Sequence, residues 1–134
     1  MRSMIKDESG FTLIEMMIVV AIIAVLTAVA IPKFNESLAL TNTTRVQADL
    51  QSLDTAIAMY RLQNGKLPND LSDLDEYIDV DNVEAPSGDI YIDGVLTSNS
   101  GDEEYTLTAD KQNASFMGKT RADFGRKKTA GSSE

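Results

Sequence analysis

The sequence predicts an α+β protein, one long N-terminal helix followed by a small antiparallel sheet. Three observations predict it. Phe11 to Ile31 is an apolar run of 21 residues with a single ionisable group, Glu15. Val46, Leu50, Leu53, Ile57 and Tyr60 recur at spacings of 4, 3, 4 and 3, the stripe of an amphipathic helix. After Pro68 the period changes to short β-rich triplets, two of them joined by Asp93-Gly94.

The first element decides the class of protein. At about 1.5 Å of rise per residue the run covers about 30 Å, the thickness of a bilayer's hydrocarbon core, and it lacks the polar stripe of a buried soluble helix. A cleaved secretory signal is the competing reading, but its apolar region is usually about 7–15 residues and ends in a small-residue cleavage site. Arg2 and Lys6 precede the run and an acidic body follows it. The positive-inside rule therefore expects a single pass with the N-terminus in the cytoplasm. An ionised Glu15 costs about 2.5–3.5 kcal/mol at mid-membrane, so it needs a partner, or water at an interface.

Pro32 removes an amide hydrogen and biases Ile31 away from helical geometry, which predicts a kink or local break there before the helix resumes. Asn64-Gly65 and Pro68 then supply the stop, near Asn64, about 80 Å from Phe11 if the helix is nearly continuous. The lower half is expected bare and the upper half packed.

Beyond Pro68, Ser72 is expected to cap a short helix with Leu74 and Ile78 on one face. Ile90-Tyr91-Ile92 and Val95-Leu96-Thr97 flank Asp93-Gly94, the pair favoured in tight primed turns, and predict a hairpin. Tyr105 to Ala109 alternates as a third strand and Ala114 to Met117 is a fourth. Together they make a sheet to cover the Val46–Tyr60 stripe. From Gly118 the chain is rich in Lys, Arg, Gly and Ser, which predicts a basic, loose tail over 118–134.

Composition narrows the chemistry. The 134 residues fit one domain, and the absence of His and Cys removes the usual general base, the commonest zinc ligands, thiol nucleophiles and disulfides. No paired acid and base motif stands out among the carboxylates, so an enzyme is not expected. The net charge of −9 disfavours nucleic acid as a partner. Thirteen carboxylates and no basic residue lie between Lys66 and Lys111, which a hydrated face explains. The cluster Arg126-Lys127-Lys128 is the one candidate for phosphate contacts, and its ordinary reading is solubility or tail docking.

Ser9-Gly10-Phe11-Thr12-Leu13-Ile14-Glu15 resembles the type III signal of type IV prepilins and of the pseudopilins of type II secretion and competence systems. The likeness lies in a short charged leader ending in Gly10, aromatic Phe11, Glu15 as the fifth residue after it, the apolar run, and Pro32. It extends less specifically over Arg45 to Pro68, where Tyr60-Arg61-Leu62-Gln63-Asn64-Gly65-Lys66-Leu67-Pro68 is similar to major pseudopilins.

The resemblance implies a pilin-like fold: leader 1–10, membrane and filament-core helix 11–32, head 33–117. It implies cleavage between Gly10 and Phe11 by an inner-membrane prepilin peptidase, methylation of the new N-terminus at Phe11, and pairing of Glu15 with a neighbouring subunit's amine. Glu15 and Pro32 become assembly residues. The implied partners are further copies in a helical filament, the peptidase, an inner-membrane assembly platform and minor pilins. Calcium is the one cofactor worth weighing, because hard cations take carboxylate oxygens in loops and major pseudopilins bind calcium in a C-terminal loop. The candidates are Asp89, Asp93, Asp102 and Glu103, with Glu104, although the loop lacks that family's longer pattern and EF-hand spacing. Three functions stay open: secretion pseudopilin, surface pilin, and an anchored binding module that never polymerises.

Overall fold

The computed structural model describes residues 9–126. The chain divides into two compact units, Met1–Asn35 and Glu36–Glu134, and one helix, α1 (Leu13–Asn64), contributes to both. The expected break at Ile31 is absent: α1 is helical straight through Pro32. A proline costs a helix one hydrogen bond and a steric adjustment, which the surrounding helical turns tolerate here.

In the first unit the apolar side chains are exposed, among them Leu13, Val20, Ile22, Leu26 and Val29. In the second unit the predicted stripe is buried in full, and it starts two turns earlier than the spacing indicated, at Ala39 and Thr43. Thr43 hid that extension because it is polar. Its hydroxyl donates to the Ala39 carbonyl (2.6 Å) and accepts from the Tyr91 N–H (2.8 Å), so its burial leaves nothing unmet.

The helix stops as expected: Gly65 takes φ +68°, and its N–H donates to the Arg61 carbonyl at 2.9 Å. Asp70, not Ser72, caps the next element, a 3-10 turn over Leu71–Leu74, because the Asp70 carboxylate accepts from the Ser72 N–H (2.9 Å). A second 3-10 turn covers Val80–Asn82.

Four strands follow among the described residues: β1 (Ile90–Ile92), β2 (Val95–Thr97), β3 (Tyr105–Leu107) and β4 (Ala114–Phe116). Asp93 and Gly94 both take positive φ, +51° and +81°, the requirement of a primed two-residue turn, and Ile92 pairs with Val95 across it. The single sheet expected from sequence is instead two separate two-stranded sheets, β1-β2 and β3-β4, each antiparallel. Side chains from both sheets nonetheless share one core with the helix stripe. That core joins Val46, Leu50, Leu53 and Ile57 to Leu74, Ile90, Tyr105, Ala114, Phe116 and Phe124.

The loose tail is not found over residues 118–126. Arg121–Asp123 forms a 3-10 turn closed by a Thr120–Asp123 capping box, Ile92 and Phe124 bridge, and Phe124 is 3% exposed. One large apolar side chain buried against Phe116 is enough to order a segment whose composition reads as solvent-bound. Residues 127–134, with Lys127 and Lys128, lie outside the described residues.

Candidate functional site

The start of α1 in the first unit is built from Thr12 and Glu15. Leu13 opens α1, so Thr12 is its N-cap and Glu15 stands in its first turn. The Thr12 N–H donates to the Glu15 carboxylate (2.8 Å), and the Glu15 N–H donates to the Thr12 hydroxyl (3.2 Å). This reciprocal pair is a capping box, legible as Thr12-x-x-Glu15, and Thr12 is the partner of Glu15 that the sequence reading missed. The carboxylate that reads as an anomaly inside an apolar run therefore sits at the run's edge. There it satisfies a backbone donor and faces the positive end of the helix dipole. Gly10 and Phe11 precede the helix, both exposed. Pro32 lies well inside α1. The helix is long and apolar enough to cross a membrane.

The second unit is held to its helix by polar contacts as well as the core. The Tyr105 hydroxyl donates to Asp49 (2.7 Å), and burial, reinforced by that carboxylate, pushes the phenol well above its ordinary value. The Ala114 N–H donates to Asp54 (2.7 Å). Burial nonetheless raises the Asp54 carboxyl above its usual range, against that bond and the Arg121 charge. Gln47 donates to the Phe124 carbonyl (2.5 Å) and Arg126 pairs with Glu36, so the segment after β4 is tied to α1 at two levels.

The expected calcium set is not brought together. Asp93 forms an ion pair with Lys119 at 2.9 Å, raising the ammonium's pKa, and the Asp89 carbonyl accepts from Asn42. Asp102 and Glu103 lie in the separate loop before β3. Among the described residues no three carboxylates converge on a point that could hold a metal ion. Of the basic cluster, Arg126 pairs with Glu36, and Lys127 and Lys128 lie outside the described residues.

An exposed apolar helix with a capped, acidic first turn, followed by a helix-backed head of short strands, defines a membrane-anchored structural subunit. Residues 5–31 match the family model described as the prokaryotic N-terminal methylation motif. A fimbrial protein of Pseudomonas aeruginosa is 34% identical over 106 residues, 79% of this chain and 63% of the relative. The competence protein ComGC of Halalkalibacterium halodurans is 32% identical over 88 residues, 66% of this chain and 86% of the relative. The type II secretion system core protein G of Aeromonas hydrophila is 30% identical over 89 residues, 66% of this chain and 62% of that protein. The chain thus spans less than two thirds of the first and third of these. No solved structure matches it. The chain belongs to the type IV pilin and pseudopilin family.

Proposed function

We propose that this chain is the structural subunit of a type IV-like filament, stored in the inner membrane with its N-terminus in the cytoplasm. A prepilin peptidase cuts it between Gly10 and Phe11 and methylates Phe11. The observation that carries the reading is the capped start of α1, with Gly10 and Phe11 immediately outside the helix and the apolar run immediately inside it. Cleavage there leaves 124 residues whose first helical turn carries Glu15. In the assembled fibre Glu15 exchanges its bond to the Thr12 N–H for the amine of a neighbouring subunit. An opposite charge in low dielectric meets the requirement of a buried carboxylate. Neighbouring copies of the apolar run replace the lipid chains as it leaves the bilayer, and the head-to-tail contact does not close, so a filament results.

Of the filament types, a secretion-type pseudopilus is favoured by the small, cysteine-free head and by the Tyr60–Pro68 stretch, with likeness to a secretion core protein in support. The surface-pilus reading draws on the fimbrial likeness, which runs over 79% of the chain. Co-expression with a prepilin peptidase, read by mass spectrometry, tests the processing step: the expected product begins at methylated Phe11, and a chain left at full mass contradicts it. Glu15→Ala is expected to leave cleavage intact and lower fibre yield at least tenfold. Normal yield from that variant would sink the pairing.

A further inference from the structure

Asn64-Gly65 and Asp93-Gly94 are the two places in the chain where an amide or acid side chain directly precedes glycine. At such a pair the glycine nitrogen can close on the preceding Cγ, because no glycine side chain shields it. In both pairs that nitrogen is occupied. The Gly65 N–H donates to the Arg61 carbonyl (2.9 Å) and the Asn64 amide to the Tyr60 carbonyl (3.1 Å), so α1 itself guards the first pair.

The second pair is guarded by a segment from elsewhere in the chain. The Gly94 N–H donates to the Gly125 carbonyl (3.2 Å) and the Asp93 N–H to the Asp123 carbonyl (2.7 Å). An Asp93 carboxylate oxygen accepts from the Lys119 ammonium (2.9 Å). Both backbone donors of the β1–β2 turn, and its carboxylate, are therefore met by residues 119–125.

This clasp is seated along β1 and fastened at both ends. It leaves β4 through Met117-Gly118, with φ +51° and +71°, while Phe116 and Lys119 exchange backbone bonds (2.8 and 2.9 Å). The Gly125 N–H donates to the Tyr91 carbonyl (3.0 Å), and Arg126 pairs with Glu36. Of residues 119–126 only Phe124 is buried, and the Lys119 and Arg126 side chains are 43% and 54% exposed. A segment held by one buried ring and two half-exposed ion pairs lifts at less free energy than the whole head unfolds.

We propose that Asp93-Gly94 is an isomerisation site and that residues 119–126 are the clasp that keeps it closed. When the clasp lifts, the Gly94 nitrogen attacks the Asp93 Cγ. An N–C bond forms, a C–O bond breaks, and the carboxyl hydroxyl leaves as water with the proton given up by the nitrogen. The product is a five-membered succinimide. Water then adds to one of its two carbonyls and that carbonyl's bond to nitrogen breaks. One choice returns aspartate; the other gives isoaspartate, whose main chain runs through Cβ and Cγ and is one carbon longer. A two-residue turn that pairs Ile92 with Val95 does not fit the extra carbon, so the clasp loses its seat and the opening becomes permanent.

In the closed state both reacting groups are withheld. The Gly94 nitrogen keeps its proton in the bond to Gly125, and the ammonium of Lys119 covers an oxygen on the carboxylate that must lose one as water.

The test ages the purified full-length chain in detergent and reads two sites in one digest by electron-transfer mass spectrometry: isoaspartate at 93 and deamidation at 64. Lys119→Met with Arg126→Met removes both ion pairs and keeps the aliphatic stems. Isoaspartate at 93 is expected to rise about threefold or more, and exchange of the Asp93 and Gly94 amide hydrogens by a similar factor, because a reaction confined to the open form follows its population. Deamidation at Asn64 is expected to stay at the wild-type rate, and Asp93→Glu, which would need a six-membered ring, to abolish the signal at 93. Faster amide exchange without more isoaspartate overturns the modification site. A rise at 93 matched by a rise at 64 overturns the clasp, since general unfolding then exposes both.

The wild-type chain gives the same reading without a substitution. In urea well below the unfolding midpoint, isoaspartate at 93 and exchange at Asp93 and Gly94 are expected to rise together while the Leu50 and Leu53 amides stay protected. If position 93 reacts only once those core amides exchange, the clasp does not open by itself and the proposal fails.

Discussion

The apolar residues of the first unit and those of the second are equally hydrophobic and are treated in opposite ways. Ile22 is 55% exposed and Val29 70%, whereas Leu50, Leu53 and Phe116 are all 0% exposed. Both sets are presented by, or packed on, the same helix. The first has no polar face and no covering layer among the described residues, and the proposed cover is lipid or other copies. The second alternates with Asp49, Asp54 and Arg61 and is covered by the chain's own two sheets. A region that finishes its own core is a head; a region that leaves its core unfinished is an assembly element.

This contrast is sharpest where a core residue is truncated. In the soluble fragment from residue 33, Phe116→Ala is expected to cost about 3–5 kcal/mol and Leu50→Ala about 2–5 kcal/mol in urea unfolding. Ile22→Ala in the full chain should leave the head's unfolding midpoint unchanged while altering assembly. A comparable loss of head stability from Ile22→Ala would erase the distinction between the units.

Phe124→Ala is next, at about 3 kcal/mol, because the ring lies in the core against Phe116 (6.2 Å between centroids). Removal of residues 118–134 should cost at least as much. A melt unaffected by either change would return that segment to the loose tail its composition suggests.

How much of this was legible follows the physics of each signal. The membrane run, the stripe from Val46, the stop at Asn64-Gly65 and the Asp93-Gly94 hairpin rest on local periodicity and turn chemistry, which the chain displays directly. The early stripe at Ala39 and Thr43 was masked because a threonine bonded to its own helix passes as apolar only once buried. Phe124 was lost in a basic context, since nothing local says that a lone aromatic will fold back onto Phe116 and the helix stripe. The split into two sheets depends on register between distant strands, which composition does not encode. At the anchor, Glu15 was identified by its cost, but its bond to Thr12 was overlooked although the Thr-x-x-Glu spacing announces it.

Smaller effects sharpen the way the head is fixed to its helix. Tyr105→Phe removes a hydrogen bond to a carboxylate and is expected to destabilise the fragment by about 1.5 kcal/mol, against near neutrality if Asp49 is simply hydrated. Asp54 has the opposite sign. Its folded-state carboxyl is raised, so its contribution is fully present below the unfolded value and is lost as pH rises through the folded one. Asp54→Asn keeps an acceptor for the Ala114 N–H. The variant should gain slightly on the wild type near pH 7, and the gain should close as pH falls towards 3. A difference in melting temperature that is flat with pH would contradict the burial origin of the shift.

The central claim is that the unfinished core of the first unit is completed by other copies of the mature chain. Immunogold electron microscopy of sheared surface material and of the membrane fraction, from cells expressing the chain at native level, tests it most directly, with mass spectrometry of the labelled material. The account predicts fibres built of a chain that begins at Phe11, short and confined to the membrane fraction for a pseudopilus, long and sheared free for a surface pilus. Uncleaved chain dispersed through the membrane as single copies would contradict it.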